Sequence, residues 1–258
     1  MTTGLTRLTL PLEGTIERRL LINYRLDTAI ARTLIPPGLR PQLVDGSAVA
    51  GICLIRLTHL RPGWLPPSIG WRFENAAHRI AVEWDESDGP RTGVYIPERH
   101  SASWIPVAIG GRFFPGVHQH ARIQAQDRPE HISVRLTAPR TAVAVDVRIT
   151  EDWSSSLFPT LQDASEFFQR GNVGWSPTRK AHALEGLQLH THRWHVAAGE
   201  PLHVASSYFD ALPRGAATLD NVLVMRDIPI EWTTPDTSAC SKQRLRTHSG
   251  AEMPVDVR

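Results

Sequence analysis

Residues 131–149 carry a two-residue rhythm that limits the fold more than any other feature of this chain. In "HISVRLTAP", Ile132, Val134 and Leu136 fall on one side and His131, Ser133 and Arg135 on the other. In "TAVAVDVRI", Val143, Val145, Val147 and Ile149 share one face. Alternation at this period marks a strand with one face in a core and the other in water. "RPEH" and "APRT" supply the turns. "RRLLINYRL" and "VLVMRDIPIEW" also read as strands, as do "FENAAHRIAVEW" and "RTGVYIPERHSA" on either side of the charged turn "DESDGP". Asp45-Gly46 between two apolar runs is a hairpin signal. "LEGLQLHTHRWHV" has strand character too.

Helical pattern is confined to short pieces. Asp27 can cap a helix carrying Ala29, Ile30, Ala31 and Leu34, stopped by Pro36-Pro37-Gly38. "TLQDASEFFQRG" is a second, capped by Thr160 or Asp163 and closed by Gly171. From about Thr233 the chain turns polar and reads as a loosely ordered tail. No repeat and no break in composition interrupts what precedes it. The organisation expected is a single domain over residues 1–232 and a polar C-terminal tail over 233–258, with mostly antiparallel sheet and a few short helices.

At 258 residues the chain is long enough for a large all-β core. The 28 basic residues nearly balance the 26 acidic ones, and no basic run tracks a phosphate backbone, so nucleic acid is not an expected partner. No stretch approaches the roughly 18 apolar residues of a spanning helix, and the first residues lack a signal-peptide pattern. Cys53 and Cys240 lie in unlike contexts that suggest no disulfide. A soluble, cytoplasmic protein without a membrane partner is expected. Phosphate loops, nucleophile elbows, H-E-x-x-H and dinucleotide fingerprints do not occur.

The chemistry-bearing stretch is "RFFPGVHQHARI", residues 112–123. On a strand, His118, His120, Arg122 and Gln124 share a face. His-x-His on a strand can hold a metal if a further ligand arrives. His190 and His192 in "LHTHRWH" are the candidates, so the alternative metal set is His118, His120, His190 and His192. The other readings are a metal-free proton-transfer pair and a plain polar strand face. Glu74 in "RFENAA" is a carboxylate beside an aromatic, suited to acid–base work if buried or to pairing with an arginine. Arg112, after Gly110-Gly111, can clamp a carboxylate. Arg25 invites the same reading, and structural pairing is the alternative for both. Phe113 and Phe114 can line an apolar cavity. Only Lys180 and Lys242 are lysines, which matters because an amine nucleophile must be a lysine or the N-terminus.

The order of "LIPPGLRPQLVDG", "FENAAHRIAVEW", "GVYIPE" and "GGRFFPGVHQHARI" resembles the acetoacetate decarboxylase-like superfamily, and within it the DUF2071 branch. "ASEFFQRGNVGWSP", "HRWHV" and "VLVMRDIPIEW" extend the resemblance over roughly residues 18–232. It implies a mainly β fold of α+β type: a large antiparallel β-barrel or cone, a few short helices, a central pocket, and self-association into a homo-oligomer. For the decarboxylases it implies a lysine Schiff base with a β-keto acid, helped by a neighbouring lysine. Their "GRE..G.PKKLA"-like segment matches here at Gly111, Arg112, Gly116 and Ala121. The lysine pair falls on His118 and Gln119 or on Gln119 and His120, and neither alignment yields an amine. Glu74 matches an acidic residue of the family.

The expected function is therefore a pocket protein without the Schiff-base lysine and without a cofactor, acting on a small keto or acidic compound. His118 and His120 would move protons, Glu74 would share or orient them, and Arg112 would hold the substrate. Arg25, Gln119, Phe113 and Phe114 would complete its binding. The alternatives are a non-catalytic ligand-binding barrel and a His-ligated metal site.

Overall fold

The computed structural model describes residues 11–104, 116–179 and 183–235. Its longest strands are β1 (Leu12–Leu26), β4 (Ser47–Pro62), β5 (Trp71–Glu86), β6 (Gly89–Ser101) and β14 (Ala217–Thr233). Between and after them come β2 (Arg40–Pro41), β3 (Leu43–Val44), β7 (His118–His120), β8 (Arg122–Asp127), β9 (His131–Thr137) and β10 (Ala142–Thr150). The remaining strands are β11 (Val173–Pro177), β12 (Leu184–His190) and β13 (Ala197–Ser206). Among the described residues the α-helices with both ends described are α1 (Thr28–Leu34), α2 (Leu161–Arg170) and α3 (Ser207–Asp210).

The strands form one 14-stranded sheet that closes on itself. Neighbours run β1-β4-β5-β6-β11-β12-β14, and β14 pairs back onto β1 from Leu12↔Trp232 to Leu26↔Ala217. The result is a barrel. β14 also pairs with β13 through residues 222–224, and from there β13-β10-β9-β8 forms a second layer over the barrel's outer face.

The wall strands are therefore buried on both sides. Leu20, Ile22, Ile52 and Leu54 point outward and pack against Ile132, Val134, Val145 and Val147 of the second layer. Leu21, Cys53 and Leu223 belong to a separate core with Phe167 and Phe168 of α2. Strands buried on both faces read as nearly continuous apolar runs, which is how "RRLLINYRL" and "VLVMRDIPIEW" look. β9 and β10 have only one face in the core and keep the clean alternation.

Local chemistry fixes the ends of elements. Asp27 Oδ1 accepts from the Ile30 amide at 3.0 Å and caps α1. Thr160 and Asp163 form a reciprocal capping box on α2, each backbone–side-chain bond 3.1 Å long. Asp45 and Gly46, at φ 46° and 75°, make the turn into β4 with the positive dihedrals a tight hairpin needs. No described helix is long and apolar enough to cross a membrane.

The strand expected through "LHTHRWHV" stops at His190. The Thr191 hydroxyl accepts from the Arg193 amide at 3.1 Å and donates to the Pro229 carbonyl at 2.7 Å, which turns the chain out of the sheet. Residues 236–258, most of the expected tail, lie outside the described residues.

Gly51 is a packing requirement of the wall. It stands in register between Asn23 of β1 and Arg79 of β5. A β-carbon there would run into the Ile22 carbonyl oxygen and approach Asn23 Oδ1 to 3.3 Å. Gly51→Ala is expected to cost about 1–3 kcal/mol, the usual toll of overpacking, measured as a lower denaturant midpoint with an unchanged slope.

Candidate functional site

Register across the wall brings the interior groups together. Leu21, Cys53, Ala77, Arg99 and His118 are direct neighbours on β1, β4, β5, β6 and β7. One step along, Arg19, Ile55, Asn75, Ser101 and His120 form the next rung. One step the other way come Asn23, Gly51 and Arg79. Arg19, Arg79, Arg99 and His118 border a cavity of about 130 Å³ whose other walls include Phe73, Phe168 and Trp232.

The three arginines are held by neutral groups. Arg79 donates to Asn23 Oδ1 and lies over the Phe168 ring at 4.5 Å. Asn23 is fixed in turn by donating to Asn221 Oδ1 at 2.6 Å. Arg99 Nε donates to Ser176 Oγ at 2.8 Å. Arg19 Nε donates to Cys53 Sγ at 3.3 Å. Among the described residues, none of the three has a carboxylate within ion-pair distance, although ten other arginines do. Burial draws Arg79 down to about 9 and Arg99 down to about 10. Both stay charged at neutral pH, at a desolvation cost that an incoming anion would offset. Burial and then the charge of Arg99 push His118 down to about 3, so its imidazole is neutral.

The residues singled out in the sequence are scattered around this site. His118 borders the cavity. His120 lies one rung on and stacks on Trp104, with ring centroids 4.0 Å apart and planes 7° from parallel. Gln119 alternates away from His118 and is exposed. Arg25, expected to hold substrate, is exposed near the end of β1 and does not border the cavity. Arg112, Phe113 and Phe114 lie outside the described residues, as do Lys180 and Lys242.

Glu74 is one residue out of phase with the cavity. It belongs to an outward rung with Arg18 and Arg56. Its two oxygens accept from Arg18 Nη2 and Arg56 Nε, each at 2.6 Å. Asp127 of β8 joins them and is paired by Arg226 at 2.7 Å. The expectation that Glu74 works beside His118 gives way to an ion-pair network between barrel and second layer.

The four-histidine metal set is not assembled. His190 is bonded to Thr233 Oγ1 at 2.8 Å, and His192 is exposed beyond the end of β12. Among the described residues, the group of potential ligands that does converge is His78, Glu98 and His100 on the outward rungs of β5 and β6. Sequence reading passed over these three, and over Arg19, Arg79 and Arg99. The available signal was a charged residue or histidine inside an apolar strand, as in "AAHRIAV".

Residues 14–221 match the family model DUF2071, described as an uncharacterised conserved protein. No curated protein matches the chain. Among solved structures, the acetoacetate decarboxylase of Legionella pneumophila subsp. pneumophila str. Philadelphia 1 is similar at 10% identity and a TM-score of 0.55, over 91% of this chain and 89% of that one. An acetoacetate decarboxylase-like enzyme from Sphingomonas wittichii RW1 is similar at 14% identity and a TM-score of 0.54, covering 90% and 94%. The enduracididine biosynthesis enzyme MppR, complexed with pyruvate, is similar at 15% identity and a TM-score of 0.53, covering 90% and 89%. At these identities the likeness is one of fold.

Removing the Glu74 charge tests its placement. Glu74→Gln leaves the fully buried Arg18 with only the more distant Asp127 at 3.9 Å and is expected to cost roughly 3 kcal/mol in stability. Replacing Arg18 by Met in the same chain should recover much of that loss, as read by chemical denaturation.

Proposed function

This chain belongs to the DUF2071 family, and we propose that its barrel binds a small carboxylate-bearing keto or hydroxy acid and transfers a proton on it without a Schiff base. One observation carries the reading: the charges of Arg19, Arg79 and Arg99 converge on an apolar cavity with no carboxylate partner among the described residues. A guanidinium presents a planar fork that matches a carboxylate in two hydrogen bonds. Three of them around one small cavity suit an acid with a second oxygen function better than a neutral molecule. Pyruvate, the ligand of the MppR complex, has that chemistry.

His118 is the proton-transfer group of this reading. Its neutral imidazole stands in register beside Arg99 on the parallel pair β6–β7, and a carboxylate seated on Arg99 would offset the charge that helps hold its basicity down. With the acid's carboxylate on one arginine and its carbonyl oxygen on another, a carbon-bound proton next to the carbonyl can pass to the imidazole. Charge then gathers on an enolate oxygen that a guanidinium already faces. An arginine forms no imine with a ketone, so the electrons rest on oxygen and not on a nitrogen derived from the chain.

Two measurements test this. Pyruvate and related keto acids are expected to raise the melting temperature and to exchange their α-protons with deuterated solvent, followed by NMR, while their methyl esters do neither. Arg79→Met and Arg99→Met should each weaken binding by about 30-fold or more, and His118→Gln should slow exchange while binding persists. Binding without exchange in the unaltered protein would leave a ligand-binding barrel. Borohydride added with a β-keto acid is expected to leave the chain's mass unchanged, and a reduced adduct would overturn the Schiff-base-free mechanism.

A further inference from the structure

We infer that His78, Glu98 and His100 form a binding site for one divalent transition-metal ion of the zinc class, in the barrel wall behind the arginine cavity. The ligand atoms of the three side chains lie within 4.8 Å of one another. His78 Nδ1 and Glu98 Oε2 are 3.5 Å apart. Two donors of a tetrahedral ion with bonds of about 2.0–2.1 Å stand about 3.3 Å apart, so this pair already has the required spacing. Closing the site needs His100 to draw nearer from within the 4.8 Å limit of the group.

Hydrogen bonding supports the assignment independently. His78 and His100 are almost fully buried, at 1% and 0% exposure. Neither ring nitrogen of His100 has a hydrogen-bond partner in the structure, nor does His78 Nδ1. Buried imidazole nitrogens are costly to leave unpaired, and a metal would pair His78 Nδ1 and one nitrogen of His100 beside the Glu98 carboxylate. The groups behind the ligands are arranged as second partners of metal ligands usually are. The far nitrogen of His78, Nε2, is 3.3 Å from Ser206 Oγ, and the Thr141 hydroxyl donates to Glu98 Oε2 at 3.1 Å. The Tyr208 ring stacks on His78 with centroids 4.5 Å apart. His100 also borders the cavity, which gives an ion a path in and open positions a direction to face. Two imidazoles and one carboxylate are a zinc or iron(II) donor set, not one for calcium or magnesium. The inference does not depend on the bound acid, since its ligands are residues other than Arg19, Arg79, Arg99 and His118.

The test uses the full chain without a histidine tag, stripped with chelator and titrated with Zn2+ by calorimetry and with Co2+ by visible absorption. One ion per chain is expected. X-ray absorption of the zinc form should show nitrogen and oxygen neighbours without sulfur. His100→Ala and Glu98→Gln should each weaken binding by more than about 100-fold, Ser206→Ala by about 10-fold, and the His190→Ala/His192→Ala double variant not at all. If His100→Ala fails to fold, the wild-type stoichiometry, the ligand atoms and Ser206→Ala still decide. No stoichiometric binding by the wild type, sulfur in the zinc shell, or unchanged affinity in Glu98→Gln would overturn the site. Pyruvate binding in the same samples reports separately on the arginine cavity.

Discussion

The pairing of β1 with β14 gives this protein an inside. Without it the strands would form an open sheet with two edges. With it, β1, β4, β5 and β6 become a curved wall whose two faces meet different surroundings. The second layer then buries the outer face as well. From that point neighbouring residues within a regular stretch of strand meet different surroundings. Arg79 faces the cavity and His78 faces the second layer, and Asn75 looks in while Glu74 looks out. Strand geometry makes a one-residue shift a change of side, and here a change of side is a change of role.

The two faces handle buried charge in opposite ways. On the outer face, Arg18 is fully buried and answered by Glu74 and Asp127. Each cation of that network has a carboxylate of the chain beside it, and its contribution is to hold barrel and second layer in one register. On the inner face, Arg79 and Arg99 are answered by an asparagine, a serine and an aromatic ring. Those partners orient the guanidinium groups and leave their charge uncompensated. Desolvating a cation costs several kcal/mol unless an opposite charge restores the balance, so the inner face is arranged to gain more from an anion than water offers it.

Much of the fold is legible in the sequence, and the reason is physical. Alternation in β9 and β10 survives because only one of their faces is buried. Caps at Asp27 and Thr160 and the turn at Asp45-Gly46 are local chemistry that no tertiary contact overrides. The site was harder to read because it is assembled by cross-strand register, which no short window contains. His118 draws attention because it stands where the resemblance points, and it borders the cavity. Arg79 and Arg99 were hidden because strands buried on both faces lose their alternation, so a cavity-facing arginine looks like any other. Glu74 misled for the same reason: an acidic residue beside an aromatic does not announce its side of the wall. The pair His190 and His192 misled through spacing alone, since a hydroxyl at Thr191 ends the strand between them.

A barrel of this shape can meet a keto acid with either of two kinds of basic group, and they commit it to different chemistry. A lysine amine with a depressed pKa attacks the carbonyl and turns it into an electron sink bonded to the protein. An arginine keeps its charge and its hydrogen bonds and forms no such bond. The described wall carries arginines in its interior rungs, held where Asn23, Ser176 and the space above Gly51 allow. Guanidinium groups in place of an amine would therefore do more than delete a nucleophile. In the proposed reaction the developing negative charge would rest on an oxygen of a free substrate, and the register of β5 against β6 would set how well that charge is met.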